Sequence, residues 1–180
     1  MKKPPYHTII KMIEMIDEPD RAGIRRLYLE NRERFLKTPG STHNHQAWPG
    51  GYHDHIEDIM NMSINHYGPE EATGRPMEFT LSSTLKVLFL HDIEKPWKDE
   101  LEIKTDPEKM RFRLELLKRY GINLTPDEVN ALQYVEGEKN DYSKRHRLST
   151  PLAAWCHLWD SWSARGRPTY PGKGDPWSAR

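Results

Sequence analysis

The chain has 180 residues, with 27 Lys and Arg balanced by 27 Asp and Glu, so no global field marks it as a binder of duplex DNA or of a membrane surface. Only 36% of its residues are hydrophobic and mean hydropathy is −0.89, but six Trp, eight Tyr and four Phe supply large units of buried area. Intrinsic disorder is therefore not expected, and one domain of ordinary size is.

In chain order, Ile9, Met12, Ile13 and Ile16 recur at helical spacing up to the break at Asp17-Glu18-Pro19-Asp20. A second predicted helix carries Ile24, Leu27, Tyr28 and Phe35 and stops near Thr38-Pro39-Gly40, after which residues 40–51 read as loop. The third runs over residues 52–67 through Ile56, Ile59, Met60 and Ile64 and ends at Gly68-Pro69. Residues 80–94 are the most apolar segment and the expected central helix, closed by Pro96. Asp106-Pro107 opens a fifth helix ending at Gly121, and the capping box of Thr125 and Glu128 opens a sixth through Val129, Leu132 and Val135. Thr150-Pro151 starts the last, from 152 to about 164. No strand pattern competes. Residues 1–165 thus read as one all-α domain, and residues 166–180, with Pro168, Pro171 and Pro176, as an irregular, loosely attached tail.

No apolar run approaches the roughly 20 residues that cross a bilayer, so no membrane partner is expected. No uninterrupted apolar stretch follows Met1-Lys2-Lys3, so a secretory leader is not expected either, and the cytoplasm is the default compartment. Cys156 stands alone, without a partner for a disulfide or a thiolate site, and reads as a small core residue.

Six of the nine histidines fall in tight places: His43 with His45, His53 with His55, His91 beside Asp92, and His157 near Asp160. Imidazole and carboxylate together suit a divalent cation such as zinc, manganese, iron, cobalt or nickel. His91-Asp92 is the strongest element, because it ends the most apolar helix, where an ionised Asp is costly unless paired or bound to metal. His157 and Asp160 share one face of the last helix, although an arginine such as Arg147 or Arg165 is an equally good partner for them.

Three segments resemble the HD-domain superfamily of metal-dependent phosphohydrolases. Residues 44–55, Asn-His-Gln-Ala-Trp-Pro-Gly-Gly-Tyr-His-Asp-His, are similar to that family's His-x-Ala-Tyr-x-Gly-Gly segment before its first ligand helix. Residues 88–95, Leu-Phe-Leu-His-Asp-Ile-Glu-Lys, resemble its Leu-Leu-His-Asp-Ile-Gly-Lys, and the end of residues 154–160, His157-Leu158-Trp159-Asp160, its terminal His-x-Ala-Asp. The resemblance implies an HD-type helical bundle with His55, His91, Asp92 and Asp160 as ligands of a divalent cation (Mn, Ni, Co, Fe, Zn or Mg). It also implies Lys95 near the substrate's phosphate. Two departures stand out: Glu94 replaces the family's usual Gly, and Glu136 occupies a place where two-metal relatives carry a histidine.

The expected function is hydrolysis of a phosphoester in a nucleotide or related small phosphate compound by a metal-activated water. Lys95, Glu94, Glu138 and His157 are the candidates for catalytic duty, and His45, His53, Lys95 and Arg147 for substrate binding. Trp48, Tyr52 and Trp97 are candidates for stacking on a base. A nuclease on single-stranded RNA or DNA is the alternative within enzymes, with Lys139, Lys144, Arg145 and Arg147 as the dense cationic cluster it needs. A non-catalytic module, in which a saturated metal ties helices together, is the alternative outside enzymes. A di-iron oxygenase is disfavoured, since His146 is the one histidine between Asp92 and His157. The His43-Asn44-His45 string does not make an HNH nuclease without strands, and nucleotide-loop, dinucleotide and zincin motifs are missing.

Overall fold

The computed structural model describes residues 5–74, 76–167 and 169–175. Among them the chain is all-α, with seven helices and no strand. They are α1 (Ile9–Ile13), α2 (Asp20–Lys37), α3 (Gly51–Glu71), α4 (Leu81–Leu90), α5 (Asp106–Tyr120), α6 (Pro126–Tyr134) and α7 (Pro151–Gly166). No helix is long and apolar enough to cross a membrane.

Helices α3, α4 and α7 pack against one another pairwise and form the centre. Around them α1 and α2 cover α3, α5 lies on α2, and α6 bridges α4 and α7. The core follows the periodicity: Ile24 and Leu27, Ile56, Ile59 and Met60, Leu85, Leu88 and Phe89, Leu152 and Cys156 are all buried in one cluster. Thr105 and Thr125 each accept from the backbone N–H three residues on while Glu108 and Glu128 reach back, so both α5 and α6 open on capping boxes.

The boundaries differ from the expected ones in four places. The helical pattern through Ile16 stops at Ile13, and the chain continues in turns whose N–H groups bond three residues back. Helix α3 runs through Pro69 to Glu71, because in an exposed last turn the missing N–H costs one hydrogen bond and little packing. Helix α4 ends at Leu90 instead of 94: Ile93, Lys95 and Trp97 donate to Leu90, Asp92 and Glu94, tightening the chain into 3-10 turns around Pro96.

The fourth correction concerns the tail. Arg167 is ion-paired to buried Asp58, Thr169 O accepts from Ala47 N–H (3.1 Å), and Thr169 Oγ1 donates to Asn44 O (2.8 Å). Residues 167 and 169 therefore strap the 40–50 loop onto the central helices instead of hanging loose. Pro168, residues 176–180 and Met1-Lys2-Lys3 lie outside the described residues.

Candidate metal centre

Each of the three central helices delivers one side chain to a common point. Helix α3 starts in contact with the preceding loop: Gly50 has φ +85°, and a Cβ on Gly51 would lie 1.8 Å from Gln46 O. Glycines there let the 40–50 loop lie directly on the first turn, which brings His45 and Gln46 beside His55. His91 sits at the end of α4, where the pitch tightens, and Asp160 is in the middle of α7.

The His55 Nε2 to Asp160 Oδ1 distance is 3.2 Å, His55 Nε2 to His91 Nε2 is 3.4 Å, and His91 Nε2 to Asp160 Oδ1 is 3.6 Å. Atoms bound about 2.1 Å from one cation at tetrahedral or octahedral angles are about 3.0–3.4 Å apart, so this triangle has the dimensions of a coordination edge. All three ligand atoms lie within 4.8 Å of one another.

Both imidazoles are held in the tautomer a cation needs. His91 Nδ1–H donates to Leu88 O (2.8 Å). Ser163 Oγ gives its one hydrogen to Asp58 Oδ2 (3.0 Å) and accepts from Gln46 Nε2 (2.9 Å), so its contact with His55 Nδ1 (3.1 Å) is accepted from the ring N–H. On both rings Nδ1 is committed outward and Nε2 is left facing the centre. Arg167 completes the arrangement by clamping Asp58 through both carboxylate oxygens, at 3.0 and 3.1 Å.

Charge follows geometry. Burial opposes a proton on His91, but the Asp92 and Asp160 carboxylates outweigh it and push its pKa up to about 10. Burial would raise the Asp160 carboxyl, yet the adjacent His55 and His91 rings hold it below the usual carboxylate range. His55 is lowered, first by burial.

Asp92 lies beside this triangle, its Oδ2 3.3 Å from His91 Nε2. The same oxygen receives Lys95 Nζ at 2.8 Å, and Lys95 also donates to Gly40 O (2.8 Å). Lys95 therefore stands at the rim, bound to the carboxylate and to the covering loop. His45 is also at the rim, its ring centroid 5.6 Å from that of His55 and its pKa lowered to about 4 by burial and by His55 and Lys95.

Other sequence candidates are placed elsewhere. Both oxygens of buried Glu94 are taken by Arg113, at 2.8 and 3.0 Å, so it braces α5 against the site. Glu138 Oε1 accepts from Leu148 N–H, Ser149 N–H and Ser149 Oγ and organises a loop. Arg147 is exposed in that loop. His53 is two residues from His55, on the other side of α3, where it meets Tyr28 OH at 2.9 Å instead of an entrance. With Asp54 and Glu57 it forms a second group of donor atoms within 4.8 Å of one another; Trp48 Nε1 donates to Asp54 and Ile9 N–H to Glu57. Of the proposed stacking residues, Tyr52 is core, 5.3 Å from Phe35 between ring centroids, and Trp97 packs on Phe112.

Three residues that shape the site, Asp58, Ser163 and Arg167, lie outside every motif, and Gln46 lies inside one at a position where the motif prescribes no residue. Helical spacing held a signal for two of them, since Asp58 and Ser163 each lie three residues after a ligand and share its face.

Compared with models of known protein families, with curated proteins and with solved structures, the chain gives no match.

Proposed function

We propose that the protein is a metal-dependent phosphohydrolase with an HD-type helical bundle, hydrolysing a phosphoester bond in a nucleotide or related phosphate compound. The observation that carries this reading is the 3.2–3.6 Å triangle of His55 Nε2, His91 Nε2 and Asp160 Oδ1, with both Nδ1 atoms committed elsewhere. Their chain order, with Asp92 directly after His91, is the family's own.

The donor set fits a borderline divalent cation, which when bound would acidify a water and polarise a phosphoryl oxygen. His55, His91 and Asp160 would hold it, and Asp92 adds negative charge at contact distance from His91. Lys95 keeps an ammonium at the rim, where charge developing on phosphoryl oxygens needs a counter-charge. Ser163, Asp58 and Arg167 keep His55 from turning. Access is from the side of Asp160, Asp92, Lys95 and His45, which are half-buried, whereas His55 and His91 are fully enclosed.

The test is a panel of nucleotides, cyclic nucleotides and bis-(p-nitrophenyl) phosphate with manganese, nickel, cobalt, iron, zinc or magnesium. Turnover that needs an added cation and is lost in His91→Ala supports the reading. A protein that binds a cation through these residues yet turns over nothing is instead a metal-stabilised module.

A further inference from the structure

Residues 135–150 join α6 to α7, a connection longer than most between packed helices. Its base is pinned: Glu138 holds Leu148 and Ser149, Asn130 Nδ2 donates to Leu148 O (2.8 Å), and Thr150 N–H donates to Asn130 Oδ1 (2.9 Å). The negative charges of the loop are used internally, Glu136 by Lys139, Glu138 by the backbone, and Asp141 by the Tyr134 hydroxyl.

Apart from Lys139, the positive charges are not. Lys144, Arg145 and Arg147, with His146 between the last two, are all exposed, and among the described residues none of the three cations has an ion-pair partner. A chain of zero net charge thus concentrates cations on one loop tip. Tyr142, 67% exposed, stands two residues before the first of them. Consecutive cations beside an exposed aromatic ring are what a single strand uses, phosphates on the cations and a base on the ring.

The loop also adjoins the candidate centre. His157 Nδ1–H donates to Val135 O (2.7 Å), Gly137 lies over the His157 ring, and His157 is one turn from Asp160 on the same face of α7. His157 and Tyr142 line one cavity with Gly137 and Glu138, and both His157 and Asp160 are half-buried.

We propose that the 142–147 loop binds single-stranded nucleic acid and leads it to the metal centre. Its second half rests on the hydrolase reading; its first half does not. Positive charge alone would also attract an anionic membrane, but a ring presented for stacking and the neighbouring centre favour a strand.

The experiment is fluorescence anisotropy of labelled single-stranded oligonucleotides with the full chain in chelator, so that no cation and no turnover is needed. The parent is expected to bind with micromolar affinity at low salt. Removing three cations (Lys144→Ala, Arg145→Ala and Arg147→Ala together) should weaken binding at least tenfold and reduce the slope of log affinity against log salt by about 2, at about 0.7 per phosphate. Tyr142→Ala should cost about five- to tenfold, as loss of one stacked base does. The charge-conserving pair Arg145→Lys with Arg147→Lys should stay within about threefold of the parent. No binding by the parent, equal binding by the triple variant, equal affinity for duplex, or preference for phosphatidylserine vesicles would each overturn the inference. Because binding is read without hydrolysis, its failure is distinct from failure of the nucleotide panel.

Discussion

Ser163 orients His55 without touching the point where the ligand atoms meet, which separates orientation from coordination. Ser163→Ala should leave the fold intact and lower metal affinity by about 10- to 100-fold, the usual effect of losing a hydrogen bond to a ligating imidazole. Isothermal titration of the cation checks this, and unchanged affinity would show that Leu88, His91 and Asp160 suffice to fix the site. Asp92 and Lys95 are bonded to each other yet have different roles. Asp92→Asn should weaken the cation and abolish hydrolysis, because it removes negative charge 3.3 Å from His91 Nε2. Lys95→Ala should keep the metal and lose turnover; metal loss in that variant would place the lysine's work in holding Asp92 and Gly40. His45 gives a pH signature. Its pKa is lowered to about 4 in the folded chain from the ordinary 6.5, so between these values the unfolded chain binds more protons. On its account stability rises with pH from about 4 to 6.5 and is level above. The melting temperature of His45→Gln should therefore fall less steeply than the parent's on acidification across that window, and parallel curves would refute the assignment.

At the scale of elements, ionic pairs set positions that apolar periodicity leaves open. Lys86, on the apolar helix α4, is buried and donates to Asp20 Oδ2 (2.7 Å), Glu128 Oε2 (2.8 Å) and Asn123 O (3.0 Å). It ties α4 to the starts of α2 and α6. Lys86→Met would leave two buried carboxylates without their cation and should cost about 3–5 kcal/mol in denaturant unfolding; a loss below 1 kcal/mol would mean that water reaches them. The helices themselves were readable, because 3.6-residue spacing, the Asp106-Pro107 start and caps at Thr125 and Thr150 are local properties. The early end of α4 was less so. Pro96 announced a stop, but the four residues before it were free to be α-helical or 3-10, and the pull of Lys95 on Gly40 and of Arg113 on Glu94 comes from distant segments.

Across the whole molecule, the strap after α7 connects the end of the chain to the centre through Arg167, Asp58, Ser163 and His55. Arg167→Ala should cost about 3 kcal/mol by leaving Asp58, 2% exposed, without its cation, and should also lower metal affinity by loosening Ser163. Paired unfolding and metal titrations test both effects, and a stability loss with unchanged affinity would confine Arg167 to folding. The sequence by itself determined the all-helical class, the core faces of α2, α3 and α4, and the His91-Asp92 and His157-Asp160 pairs as ligand candidates, whereas His55 was singled out only by the resemblance to the HD superfamily. Periodicity, caps and the rarity of histidine beside carboxylate in apolar segments are all written along the chain. Only the tertiary structure decided that Glu94 belongs to Arg113, that His53 faces Tyr28, that Glu138 organises a loop, and that Gln46, Asp58, Ser163 and Arg167 stand behind His55. Each of these is a choice of partner between segments far apart in sequence. A side chain's partner is fixed by which helix faces pack together, and neither its type nor its spacing carries that information.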